Sequence, residues 1–301
     1  MNNFSDLTNK PDDKLFYNSN DAHDIRLGSL VSHEQNDYDA AQIVLLGSQT
    51  DNSANTNSIR EEFYKLTNFG ITRKIFDLGN VNSGENLSSV VEKILQDEKR
   101  LIVFGGEDIS YSSGAAMAKA FGGDRCIAIN INSYLDSLPE YAKENNFSFR
   151  RLLDEKLLLP KYFYEIGFQP YFCTPAYFKF LQNNDVKMVS LEQLRSRETP
   201  DLELRELIRQ EFITHSNSMN IFFNFSMNAV RASDAPGVSA SSPFGLRAGE
   251  FLTLVQFAAK LMNTKMIQFT DFREELDHEN RTAKLIAIGL HRFCSSLPKG
   301  T

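Results

Sequence analysis

The sequence predicts an α/β fold of three layers, α-β-α, around a mostly parallel central sheet. Three observations carry that expectation. Short apolar runs alternate with helical stretches from Ala41 to the end of the chain, at the spacing of βα units. The runs are apolar throughout, as strands buried on both faces are. No repeat, low-complexity tract or Pro/Gly/Ser linker marks a boundary, so residues 41–301 read as one domain behind a polar arm, residues 1–40.

The arm is rich in Asn, Asp and Ser, with one short helix expected near residues 24–33. Residues 41–47, AQIVLLG, form the first clear buried strand, closed by glycine. Residues 57–66 follow with helical spacing (Ile59, Phe63, Leu66) behind Asn57 and Ser58 as caps. A strand over 74–78 and an amphipathic helix over 87–98 come next. Residues 100–104 are a strand that runs directly into Gly105-Gly106-Glu107-Asp108. The helix over 111–121 carries Gly114, Ala115, Ala116, Ala118 and Ala120, small enough for close packing on a sheet. A strand over 126–131 leads into Asn132-Ser133-Tyr134-Leu135-Asp136, followed by a loop and helix to about residue 159. Strands over 162–168 and 186–190 flank a helix over 175–183, and a long helix spans 200–215. After the apolar run that starts at Ile221, a helix over 248–262, a strand over 265–269 and a helix over 282–293 complete the pattern.

Composition narrows the function classes. Hydrophobic residues make up 42% and charged residues 24%, which suits a folded chain with a sizeable core. A formal charge of −7 argues against broad nucleic-acid binding. Cys126, Cys173 and Cys294 are widely spaced with no C-x-x-C pair, the pattern of reduced, buried thiols. The N-terminus lacks an apolar h-region and no stretch is long enough to span a bilayer, so a cytoplasmic protein with no membrane partner is expected.

One stretch organises the chain: residues 221–246, IFFNFSMNAVRASDAPGVSASSPFGL. It begins as an apolar strand, turns polar at Asn224, Ser226 and Asn228, and ends in turns around Pro236-Gly237. Polar clusters also follow three other strands, at residues 105–108, 132–136 and 271–274. Carboxyl ends of parallel strands share one crevice, the usual ligand site of such sheets. The five histidines fall outside these clusters, and no P-loop, G-x-S-x-G or G-x-G-x-x-G occurs.

These segments resemble the arginase, agmatinase and formimidoylglutamase family of ureohydrolases, over roughly residues 25–295. Residues 221–246 are similar to S-x-D-x-D…APGVSAP…GL, Gly105 to Tyr111 to GGxH-D, Ile131 to Asp136 to D-A-H-x-D, and Asp271 to Glu274 to D-x-x-E. Asn280-Arg281-Thr282-Ala283 matches the R-T-A that opens the family's last helix. Ala235 to Ala240 and Ile166 to Pro170 point to the formimidoylglutamase branch. The resemblance implies an arginase-like fold, trimers or hexamers, and a site for two manganese ions. The ligand positions fall on Glu107 (or Asp108 after a one-residue slip), Asn132, Tyr134, Asp136, Ser226 and Asn228. Of these six only Asp136 keeps the family residue.

Manganese prefers carboxylate and imidazole, so Asn, Ser and Tyr are poor replacements. The family's hydrolysis needs two metal ions to activate a bridging water. Crowded aspartates need cations to neutralise them. Asn132 and Asn228 are near-isosteric neutral substitutes, and Ser226 removes a third charge, so the pocket is self-consistent without metal. Residues 48–52 lack the family's Gly/Arg-rich insertion, and residues 145–150 replace its substrate loop. The resemblance therefore implies a formimidoylglutamase-like protein without cofactor or activity, in a binding or structural role. Its ligand would be a small amidino or guanidino amino acid held by Glu274. The alternative is an active hydrolase of C–N bonds in linear amidines, with manganese on Glu107, Asp108 and Asp136. Plainer roles stand beside these: Gly105-Gly106 as a tight turn, Glu107 and Asp136 as a structural pair, Asn132 and Tyr134 bonded within their loops, and Glu274 paired with Arg273.

Overall fold

The computed structural model of the chain describes residues 4–19, 21, 23–48, 56–106, 109–135, 148–206, 209 and 218–298. The described strands are β1 (Thr8–Asn9), β2 (Ile43–Ser48), β3 (Ile75–Val81), β4 (Arg100–Phe104), β5 (Cys126–Ile131), β6 (Phe163–Phe168), β7 (Lys187–Ser190), β8 (Asn220–Ser226) and β9 (Thr264–Thr270). They form one nine-stranded sheet in the order β1-β3-β2-β4-β9-β8-β5-β6-β7. Every pairing is parallel except β1 with β3.

Alternate strand residues feed two separate cores, as the twofold period of a strand requires. Ile43 and Leu45 of β2 face one core, and Val44 and Leu46 face the other. The first core is closed by α1 (Asn57–Tyr64), α7 (Ala248–Lys260) and α8 (Arg281–Ser296), through residues such as Ile59, Leu254 and Ile286. The second lies under α2 (Gly84–Gln96), α3 (Ile109–Phe121), α4 (Ser148–Asp154) and α5 (Pro175–Asn183), through Val91, Ala116, Phe149 and Leu181. A short helix, α6 (Leu191–Arg195), follows β7, and residues 201–206 and 209 are helical. The three-layer α/β architecture is therefore the one the sequence predicts.

Local chemistry explains the details. The small residues of α3 let it lie close to its neighbours: a Cβ on Gly114 would collide with Leu152 of α4. α6 is short but well started, by a reciprocal capping box between Ser190 and Gln193. The helix expected near residues 24–33 is a single 3-10 turn, Leu27–Ser29. Residues of the arm are pinned to the sheet side: Phe4, Leu27, Val31 and Tyr38 are buried, and β1 pairs with β3. Residues 207–208 and 210–215 of the long helix expected after residue 200 lie outside the described residues. No described helix is long and apolar enough to cross a membrane.

Candidate functional site

The polar clusters at the ends of β4, β9, β8 and β5 come from strands that are neighbours in that order. Parallel pairing holds them in register, with Asn224 opposite both Asn130 and Gln268, and Ser226 opposite Thr270. The carboxyl ends of these four strands therefore lie side by side, where a parallel sheet usually places its ligand crevice. Gly105 starts the turn after β4, and a Cβ there would sit 2.7 Å from the carbonyl of Ser48. That close approach is why glycine is needed. Glu107, Asp108 and Asp136, together with residues 49–55 and 137–147, lie outside the described residues.

Of the remaining predicted residues, Asn132, Tyr134, Ser226 and Asn228 are engaged by the protein itself. Asn132 accepts the backbone N–H of Tyr134 at 3.4 Å. The Tyr134 ring stacks on Phe172 with centroids 4.9 Å apart, and burial raises its phenol, which stays protonated. Ser226 donates its hydroxyl hydrogen to Asp271 and accepts the N–H of Asn228 at 3.2 Å. Asn228 accepts the N–H of Ala240 at 3.2 Å, while its carbonyl takes the Ser133 hydroxyl at 2.8 Å. Glu274 sits half-buried in a 3-10 turn, Glu274–Leu276, and makes no ion pair among the described residues. Asp271 adopts a left-handed φ of 66° and is 7% exposed, so the carboxylate nearest Ser226 is held in a backbone conformation uncommon outside glycine.

These four side chains, Asn132, Tyr134, Ser226 and Asn228, do not fit a manganese pair. None is a carboxylate or imidazole, and the side-chain oxygens of Asn132, Ser226 and Asn228 already carry protein hydrogen bonds. Among the described residues no group of three or more His, Cys, Asp or Glu side chains could hold a metal.

Beneath the crevice lies a feature the motif reading missed. Asn130 donates to Glu165 at 2.9 Å, Asn224 donates to Asn130 at 2.7 Å, and Gln268 donates to Asn224 at 2.9 Å. This ladder crosses β6, β5, β8 and β9 on the face covered by α3, where Gln268 also reaches Ser110 at 2.7 Å. Its members are at most 3% exposed. All the amide donors point towards Glu165, so each bond polarises the next in the same sense. The signal was present in the sequence: each of these strands has one amide or carboxylate residue inside an apolar run, at Asn130, Glu165, Asn224 and Gln268. A second hub is Gln169, 1% exposed, whose amide donates to Ser133 and to the carbonyl of Phe244 at 3.1 and 3.0 Å. It ties the loops after β5 and β6 to the one after β8.

At the opposite flank, Arg60 of α1 is wholly buried. Its five N–H bonds go to Asp77 (two), Thr56, Asn80 and the carbonyl of Gly79, at 2.8–3.1 Å. Burial works against its charge, but Asp77 more than offsets this and the pKa is raised. Tyr64 also donates to Asp77. A Cβ on Gly47 would collide with Asn80, so this network closes directly over the end of β2. With every donor used, it is a structural clamp.

Known proteins share this architecture. The sequence profile described as the arginase family matches residues 33–294. A formimidoylglutamase of Staphylococcus epidermidis is 25% identical over 244 residues, which is 78% of this chain and 76% of that protein. The crystal structure of formimidoylglutamase from Bacillus subtilis superposes with a TM-score of 0.84 at 20% identity, covering 93% of this chain and 94% of that one. A formiminoglutamase of Trypanosoma cruzi, solved with Mn2+, superposes with a TM-score of 0.78 at 24% identity, covering 91% and 100%. At these identities the structures establish the shared fold alone.

Proposed function

The chain belongs to the arginase family, and on that premise we propose that it is a formimidoylglutamase-like member that has lost the dinuclear manganese site and with it hydrolytic activity. One observation carries the reading. Ser226 stands where the resemblance puts a bridging carboxylate, and its hydroxyl is a donor committed to Asp271. A bridging ligand must instead offer lone pairs to two cations. The amides at Asn132 and Asn228 act in the same direction, since each carries no charge for a metal to neutralise. The protein then serves as a binding or structural member of its family. The ligand class proposed for it is a small amidino or guanidino amino acid gripped by Glu274, and the assembly proposed is a trimer or hexamer.

A second reading draws on the curated relatives, which carry the name formimidoylglutamase. Under it, Glu107, Asp108 and Asp136 hold manganese in an unusual set and the protein hydrolyses C–N bonds of linear amidines. Elemental analysis after exposure to excess manganese separates the two. Less than about one-tenth of an ion per chain, with no turnover of formimidoylglutamate, agmatine or arginine, is the outcome expected. One or two ions per chain with turnover of any of them sinks the first reading and establishes the second.

A further inference from the structure

We propose that the open edge of β7 takes an extended acidic peptide from a partner protein as an added strand. β7 ends the sheet, and among the described residues its backbone ladder is with β6 alone. A groove of about 890 Å³ is lined by all of residues 186–190 in succession. Successive residues of a strand point to opposite faces, so a groove that meets five in a row runs along the strand's edge. There the N–H of Ser190 is taken by the Gln193 side chain at 2.7 Å and that of Val186 by the carbonyl of Leu181 at 3.1 Å, and the backbone groups of β7 between them that face away from β6 are placed to pair with another chain. Phe178 and Pro175 of α5 supply an apolar wall for side chains of the incoming strand.

Charge selects the partner. Lys179 and Lys187 line the groove, and neither has an ion-pair partner among the described residues. The one acidic lining residue, Glu203, is already bound to Arg197 at 2.7 Å. The groove is therefore locally positive on a chain of formal charge −7, and an acidic strand complements it. A second copy of this chain, paired edge to edge, would set lysine against lysine, which counts against self-association here. The proposal stands whether or not the crevice holds metal.

The test is selection from a library of random eight-residue peptides on the purified full chain, followed by fluorescence anisotropy of the enriched peptides. Expected are sequences with Asp or Glu alternating with Val, Ile or Thr. Their binding should weaken about tenfold in the variant Lys179→Glu/Lys187→Glu, whose circular dichroism and melting should match the parent. Proline at the centre of an enriched peptide should abolish binding, since it removes a ladder donor. Absence of acidic enrichment, full binding by the double variant, or tolerance of central proline would each overturn the proposal. So would a dimer in light scattering that Lys179→Glu dissociates.

Discussion

Ser226→Asp tests the electrostatic logic of the crevice directly. Ser226 is 1% exposed, its hydroxyl is hydrogen-bonded to Asp271, and Asp271 is itself 7% exposed. The substitution therefore sets two carboxylates within about 4 Å of each other in a partly desolvated site. At an effective dielectric of about 20, two like charges at that distance cost about 4 kcal/mol. That equals about three pKa units, so the introduced group should titrate near pH 7 in the folded protein against about 3.9 unfolded. An acid with a raised folded pKa binds more protons folded than unfolded between those values. Stability must then fall as pH rises from about 4 to about 7 and level off above. Urea unfolding followed by circular dichroism should show the variant about 5 kcal/mol less stable than the parent at pH 8, the charge penalty added to a lost hydrogen bond. At pH 4 only the loss of one hydrogen bond, about 1 kcal/mol, should remain. An equal loss at both pH values would refute the argument, because the penalty would then be steric. Adding manganese should leave the parent unchanged, and a rise in its melting temperature would show that a cation site persists.

Breaking the buried clamp with Asp77→Ala should cost about 3–5 kcal/mol in urea unfolding, since the Arg60 guanidinium would be left buried without its carboxylate; a loss under 1 kcal/mol would mean water enters the site. Burial pulls the Glu250 carboxyl upward, but the bonds from Arg195 at 2.9 Å and the N–H of Arg247 at 2.7 Å outweigh it, and its pKa lies below the ordinary 4.5. Its contribution is present above about pH 4.5 and lost as pH falls through the lower folded value, so Glu250→Gln should cost about 1 kcal/mol at pH 7 and little at pH 3. A constant difference across that range would rule out a charge effect. Burial pushes the Cys126 and Cys294 thiols up to about 12, so neither should react with iodoacetamide at pH 8 while the protein is folded; peptide mapping that finds either one alkylated before unfolding would contradict the packing. Restoring the family's ligands by Glu107→His, Asn132→Asp, Tyr134→His, Ser226→Asp and Asn228→Asp together should recover manganese by elemental analysis if only those side chains have changed, and failure would show that their supporting contacts have drifted too.

Local pattern determined much of this protein. β4, β5 and α5 fall on the residues expected for them, because an apolar run or a threefold-to-fourfold apolar spacing is a property of neighbouring residues. The strand ends were harder to see. β3 continues to Val81 and β8 through Ser226, where polar residues read as the end of each strand. Asn80 is satisfied there by Arg60 and Asn224 by Asn130, partners that lie 20 and 94 residues away. β1 is only two residues long and exists because β3 offers it an edge. For the crevice, the sequence by itself showed which residues follow the strands and that the side chains of Asn132, Tyr134, Ser226 and Asn228 are neutral. Only the tertiary structure decided what those side chains do: that Ser226 faces Asp271, that Asn228 bonds Ala240, and that a polar ladder ending at Glu165 runs beneath them. Apolar burial depends on composition and period, which a chain carries locally. A hydrogen bond depends on the direction and distance of one partner, and here folding supplies that partner from a strand far away in the chain.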